Sequence, residues 1–180
     1  EYVSAYEILK SHKQRNDRSD YDMLIDICEE NGIDRKIMQR FMDYLVMTDF
    51  AISNIDEHLQ NFGVLRDTET MELIGPAPIF DSGNSMFYKE TGKQPLSRYD
   101  LLRMPICSLH TTEEKMLRHV SDRNTVDPAA LPLPDEVQAF YLSYGLPEER
   151  TCFIAESYRN KLSLLKDFRK GANLSAYLEK

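Results

Sequence analysis

The chain lacks most of the features that assign a protein quickly, and each absence excludes something. No apolar run is long: Tyr44-Leu45-Val46-Met47 meets Asp49 almost at once, far short of the ~20 residues that a membrane-spanning helix requires. We therefore expect a soluble chain with no membrane partner. Positive charge is scarce. Lys and Arg number 22 against 30 Asp and Glu, for a formal net charge of -8, and a surface that neutralises phosphates needs the opposite balance. Direct nucleic-acid binding is excluded on that ground. Cysteine is limited to Cys28, Cys107 and Cys152, an odd number without paired spacing, so we expect reduced thiols and a cytoplasmic setting, with no secretory leader at the start. The seven glycines are scattered, and none forms the G-x-G-x-x-G of a phosphate-cradling loop.

What is present is helical periodicity. At 180 residues the prior is one domain spanning 1-180, able to bury roughly 70% of the surface that its unfolded form exposes. The segment Glu1 to Asp20 ends in a polar run from Ser11 to Asp20 and reads as a solvated loop. From Tyr21, the residues Leu24, Ile25, Ile27 and Cys28 predict a short helix capped by Asp20 and closed by Gly32. Asp34 caps a longer one, with Ile37, Met38, Phe41, Met42 and Leu45 on its buried face. Phe62 to Leu65 and Met71 to Ile74, around the turn Arg66 to Thr70, read as a β-hairpin that Gly75-Pro76 stops. The stretch from Asp81 to about Pro105 has no sustained period and reads as a long mobile loop.

Helices follow again. Thr111 with Glu114 resembles a capping box, Asp135 to Tyr144 forms a helix before Gly145, and Pro147 to Lys170 forms a long one with a stripe of Ile154, Tyr158, Leu162, Leu165 and Phe168. The fold class is mainly α with one small β-hairpin.

Chemistry concentrates where the second helix ends. Asn54-Ile55-Asp56-Glu57-His58-Leu59-Gln60-Asn61-Phe62-Gly63 links helix to hairpin, and Ile79-Phe80-Asp81-Ser82-Gly83 follows the hairpin directly. A hairpin returns its second strand to where the first began, so Asp56, Asn61 and Asp81 can converge. A carboxylate that accepts a hydroxyl proton and hard oxygens for a divalent cation are what phosphoryl transfer needs. Each residue also has a plainer reading: Asp56 as a cap on backbone amides, Asn61 as a turn residue, Asp81 as an Asx turn. His58 has no second His or Cys at ligand spacing, so a transition-metal site is disfavoured.

Asp56-x-His58-x-x-Asn61-Phe62-Gly63 followed by Phe80-Asp81-x-Gly83 resembles the catalytic loop and metal-binding Asp motif of bacterial HipA-like serine/threonine kinases. The separation of Asp56 and Asn61 is also that of the Asp and Asn in the general kinase loop. The resemblance implies a protein-kinase-like C-lobe. It implies Asp56 as catalytic base and His58 as support for the loop or the transferred phosphate. Asn61 and Asp81 would be ligands of Mg²⁺ bound with ATP. It further implies a protein substrate and, because the family includes toxins of toxin-antitoxin pairs, an antitoxin partner. The family's ATP-clamping lobe precedes this loop. With no Gly-rich loop or anchoring lysine, the chain is expected to be the helical lobe alone, beginning at Glu1 near the lobe junction and inactive by itself. A non-catalytic kinase-like interaction module and a small-molecule or lipid kinase of the same broad fold are the alternatives.

The remaining polar residues have plain readings. His12, His110 and His119 are expected to be solvated, and Cys107 and Cys152 to be buried and structural. Ser85, Tyr88, Thr91, Ser97 and Tyr99 fall where kinases place a substrate loop. Arg159, Lys161, Lys166, Arg169 and Lys170 suit the C-terminal dipole of the last helix.

Overall fold

The structure, a computed structural model, describes residues 1–13 and 17–178. Its sheet has three antiparallel strands, β1 (Tyr2–Ser4), β2 (Gly63–Arg66) and β3 (Leu73–Pro76), in the order β1-β2-β3. The expected hairpin is β2-β3, closed by Asp67, whose Oδ1 accepts the amides of Glu69 and Thr70 at 2.8 and 2.9 Å. Strand β3 runs through Gly75 and Pro76 instead of stopping there, with Pro76 opposite Val64. It is an edge strand, where a missing N–H is tolerated. Strand β1 was not expected. Three residues carry no period, and the strand exists because β2 offers its free edge, pairing Val3 with Val64 and Ser4 with Gly63. The approach at Gly63 is so close that a Cβ there would run into the Val3 carbonyl oxygen.

Helix α1 (Ala5–Lys10) continues from β1 through a capping box between Ser4 and Glu7, so this stretch is ordered structure where a loop was expected. Of the polar run that follows, residues 14–16 lie outside the described residues. Helix α2 (Asp20–Glu30) is capped by Ser19, whose Oγ accepts the Asp22 amide at 3.1 Å; Asp20 is its first helical residue and not its cap. Helix α3 (Arg35–Ile52) starts at Asp34 as expected, with the Lys36 amide on Asp34 Oδ1 at 2.7 Å. Met38, Met42 and Leu45 are buried, whereas Ile37 is 55% exposed. One residue is a 100° step around a helix, which carries position 37 off the stripe.

The segment read as a long loop contains a 3₁₀ turn at Ser82–Asn84 and helix α4 (Arg98–Arg103), whose Leu101 and Leu102 are fully buried. A helix of six residues is too short to show a period. Helix α5 (Glu113–Leu117) follows Thr112, not a Thr111 box. Glu114 is drawn instead to Arg118 Nε at 2.7 Å and to Ser175. Helix α6 (Pro134–Ser143) packs on the long helix α7 (Glu148–Arg169), for which Pro147 stands at the cap position, one residue before the first turn. The predicted stripe of α7, Ile154, Tyr158, Leu162, Leu165 and Phe168, joins one core with Met38, Met42, Phe50 and Leu101. Among the described residues no helix is long and apolar enough to cross a membrane.

Candidate functional site

The site begins where α3 stops. Ser53 takes a left-handed conformation (φ 52°), which turns the chain off the helix axis and buries Asn54 at its foot. The Asn54 amide then organises the loop. Its Nδ2 donates to Asp49 Oδ1 at 3.1 Å and to Glu57 Oε2 at 2.9 Å, and its Oδ1 accepts the Asp56 N–H at 3.4 Å. Asn61, also buried, donates its Nδ2 to the Asp56 carbonyl at 3.0 Å, which leaves Oδ1 as the free end of its amide. Exposed His58 bonds within the loop: its N–H donates to the Asp56 carbonyl at 2.9 Å, and its Nδ1 accepts the Gln60 N–H at 3.3 Å.

The second motif lies against the first. The Asn84 side-chain amide donates to Asp56 Oδ2 and the Asn84 carbonyl accepts the Ile55 N–H at 3.3 Å, while the Met86 N–H reaches the Ile52 carbonyl at 2.7 Å. Asp56 therefore holds a side chain from the segment of Asp81 and caps no backbone amide with its carboxylate. Asp81 itself is exposed and left-handed (φ 61°), and its side chain makes no capping bond to the 3₁₀ turn it precedes. That geometry costs an L-residue about 1 kcal/mol or more, and the Asx turn that would offset it is not formed. Met86 and Phe87 are left-handed as well (φ 53° and 62°), so three such residues cluster in seven positions beside Asp56; strain of this kind gathers at functional sites.

Strand β1 and helix α1 support both motifs from behind. The Tyr2 hydroxyl donates to the Gln60 carbonyl at 2.9 Å, and the amides of Ala5 and Tyr6 donate to the Phe62 and Leu59 carbonyls at 2.8 and 2.9 Å. The Tyr2 ring meets Phe80 edge-on, with centroids 5.3 Å apart. The chain's first residues thus touch the residue before Asp81 and the loop that carries Asn61.

Electrostatically the site is acidic on two levels. At the surface stand Asp56 and Asp81. Beneath them, burial pushes the Glu57 carboxyl up to about 7 against the restraining Asn54 bond, with the charges of Asp81 and Asp56 adding to the rise. On the other side of the Asn54 amide, burial and then the charge of Glu57 push Asp49 up to about 8. Among the described residues no group of three His, Cys, Asp or Glu side chains could hold a metal ion. Besides Asp56 Oδ1, the oxygens left available are Asn61 Oδ1 and the Asp81 carboxylate, which is hard-donor chemistry suited to a cation that keeps several waters or substrate oxygens in its shell.

Sequence reasoning missed several residues here. Asn54 and Asn84 hold the two segments together through ordinary amides, which carry no signal of their own. Glu57 and Glu113 are both 3% exposed and Lys161 is 0% exposed. Lys161 pairs with Glu113 and lies 4.0 Å from the centre of the Phe50 ring; it is not a dipole partner at the helix end. Its position, three after Tyr158 and four before Leu165, was the available clue. His110 and His119 are stacked, with centroids 4.6 Å apart and His119 against Tyr21, where solvated side chains were expected. Cys107 and Cys152 are exposed, and the buried cysteine is Cys28.

The sequence matches no protein-family model and no curated protein. Among solved structures, the chain is similar to the crystal structure of a Helicobacter pylori proinflammatory kinase, CtkA. The TM-score is 0.58 at 16% identity, over 99% of this chain and 73% of that one. At that identity the likeness is one of fold: the chain is about half helical with a small three-stranded antiparallel sheet, and it has a kinase-like fold.

Proposed function

We propose that the chain is the helical lobe of a HipA-like protein kinase, which transfers the γ-phosphoryl of ATP to a serine or threonine hydroxyl of a protein. The observation that carries this reading is the bonding of Asn84 to Asp56, which sets the segment of Asp81 beside the loop of Asp56 and Asn61. In this reading Asp56 orients the acceptor hydroxyl and takes its proton; its Oδ2 is steadied by Asn84, leaving Oδ1 for the substrate. Asn61 Oδ1 and the Asp81 carboxylate would hold Mg²⁺, which when bound with ATP neutralises charge on the phosphates. His58 keeps the intervening turn closed through its own backbone and ring. The nucleotide clamp is not supplied by these 180 residues, so alone they should turn over negligibly. An antitoxin partner remains part of the proposal through the family resemblance alone.

The test is Mg²⁺-dependent phosphate transfer by the chain joined to a clamping lobe. Asp56→Ala should lower the rate by roughly 10² or more, the usual scale for loss of a general base, and Asp81→Ala, which removes a ligand of Mg²⁺, should lower the Mg²⁺-dependent rate at least as far. Rates equal to the unsubstituted protein in both variants would remove the mechanism. A second reading, a non-catalytic interaction module, draws on the apolar residues that α6 and its flanks expose: Leu133, Phe140, Leu142 and Tyr144 are 62%, 56%, 41% and 74% exposed. Absence of heat on titrating Mg²⁺ and nucleotide into the two-lobed protein would favour it.

A further inference from the structure

Beneath the Asp56 loop is a cavity of about 20 Å³, lined by the polar residues Asp49, Asn54, Glu57, Ser108 and Glu113 and by apolar side chains that include Phe50. Two of its carboxylates are incompletely bonded. Glu57 uses Oε2 for Asn54 and Glu113 uses Oε2 for Lys161, and in each the other oxygen, Oε1, is buried without a partner in the protein. Both residues are more than nine-tenths buried. A buried polar atom left unpaired costs about 1–3 kcal/mol, and more if charged, so two such atoms on residues that line one small space invite a common explanation.

The size and chemistry of the space narrow its occupant. On this measure a cavity needs about 10–15 Å³ to hold a single water, so this one has room for one water. An apolar occupant would leave both oxygens unpaired. A metal ion is disfavoured because Lys161 already stands at Glu113, and no three acidic, His or Cys groups close on one point among the described residues. A water can bond both Oε1 atoms, donating to a carboxylate or accepting from a carboxyl that holds its proton, and with Ser108 on the lining it has within the cavity the two to four polar partners that buried waters keep.

We infer that one water molecule is bound in this cavity, bridging Glu57 Oε1 and Glu113 Oε1 by hydrogen bonds, and that Glu57 is thereby a positioning residue. It ties the Asp56 loop to the Glu113–Lys161 pair, and so to α5 and α7. The consequence is mechanical: the loop is anchored to the helical core by Glu57 through the water, in addition to the Asn54 bonds at its base.

A high-resolution crystal structure of the chain decides the first half of the inference. Electron density for a water within about 2.6–3.2 Å of both oxygens is expected; a site without density, or one refining as a metal ion, overturns it. The second half is tested by amide hydrogen exchange. Glu57→Leu should speed exchange across residues 54–61 by roughly tenfold or more while α7 stays protected, since a local opening need not loosen the rest of the core. Glu57→Gln, which can still bond the water, should stay near the unsubstituted protein. If loop protection in Glu57→Leu is unchanged, or if α7 loosens equally, the positioning role is wrong. Should Glu57→Leu not fold, Glu57→Gln decides: retained water and retained loop protection support the role, and loss of both refutes it. Neither readout involves phosphate transfer, so this inference and the kinase reading fail separately.

Discussion

Removing Lys161 should destabilise the protein less than removing its partner, and the two deficits should move in opposite directions with pH. The ammonium is wholly buried, bonded to Glu113 and set against Phe50. Burial lowers the pKa of Lys161 and raises that of Glu113, in each case against the pull of the other's charge. In Lys161→Met the carboxyl of Glu113 is left alone and escapes its charge by taking a proton. From the ordinary value of 4.5, that neutralisation costs about 3.4 kcal/mol at pH 7, at 1.36 kcal/mol per unit. This caps the penalty near the low end of the roughly 3–5 kcal/mol typical of broken buried pairs. In Glu113→Leu the stranded lysine must instead lose a proton, which from 10.5 costs about 4.8 kcal/mol at pH 7. At about 2–4 °C per kcal/mol for a chain of this size, Lys161→Met should lower Tm by roughly 7–14 °C and Glu113→Leu by more.

The signs separate these variants further. The folded Lys161→Met protein holds a proton that the unfolded chain releases above about 4.5, so its deficit grows as pH rises and vanishes toward acid. For Glu113→Leu the unfolded chain holds the extra proton, so the deficit shrinks as pH rises toward 10.5. The double variant Glu113→Leu/Lys161→Met, with no charge to bury, should regain most of the loss. Urea and thermal unfolding across pH measure all three. Single variants that each cost less than about 1 kcal/mol, within the range of ordinary surface changes and exposed ion pairs, or deficits that share one pH trend, would refute the reasoning.

Two further outcomes follow from the geometry. Gly63→Ala drives a methyl into the Val3 carbonyl and should cost about 1–3 kcal/mol as overpacking does, with faster amide exchange at Val64 and Ala5 as β1 lifts away; unchanged exchange there would show that β1 does not depend on Gly63. Asp49 and Glu57, raised to about 8 and about 7 chiefly by burial, hold protons in the folded state that the unfolded chain loses above about pH 4, so stability should fall as pH rises from about 4 to 8. Asp49→Asn should flatten that slope in Tm measured against pH, and an identical slope would show that Asp49 does not carry it.

How much of this was legible in the sequence depends on what kind of signal each element needs. Helices α3 and α7 are long enough for their stripes to repeat, and the hairpin shows because polar Arg66 to Thr70 divides two short apolar runs. Strand β1 and helix α4 span three and six residues, shorter than any period they could display, and both form by docking onto β2 and the core. The two motifs were visible as words, but the bonds that join them were not: Asn84 is 28 positions from Asp56. Lys161 failed for a different reason. A lysine on a helix is usually solvated, so composition outweighed its register on the apolar stripe, and register was the better guide.

Buried acids under a surface site have a specific physical consequence. A loop held only by backbone bonds to solvent-facing turns can open at little cost, because water replaces each bond it loses. The Asp56 loop is held differently: Asn54 is 2% exposed, and its amide is shared between half-buried Asp49 and buried Glu57. Opening the loop would break these bonds where water does not readily substitute, and would strand acids whose protonation is tuned to the closed arrangement. The left-handed residues Asp81, Met86 and Phe87 work against this, since each would relax if released. Rigidity beneath the loop and strain beside it thus oppose one another across the Asn84 to Asp56 contact, which fixes the position of the Asp56 carboxylate without any backbone bond to it.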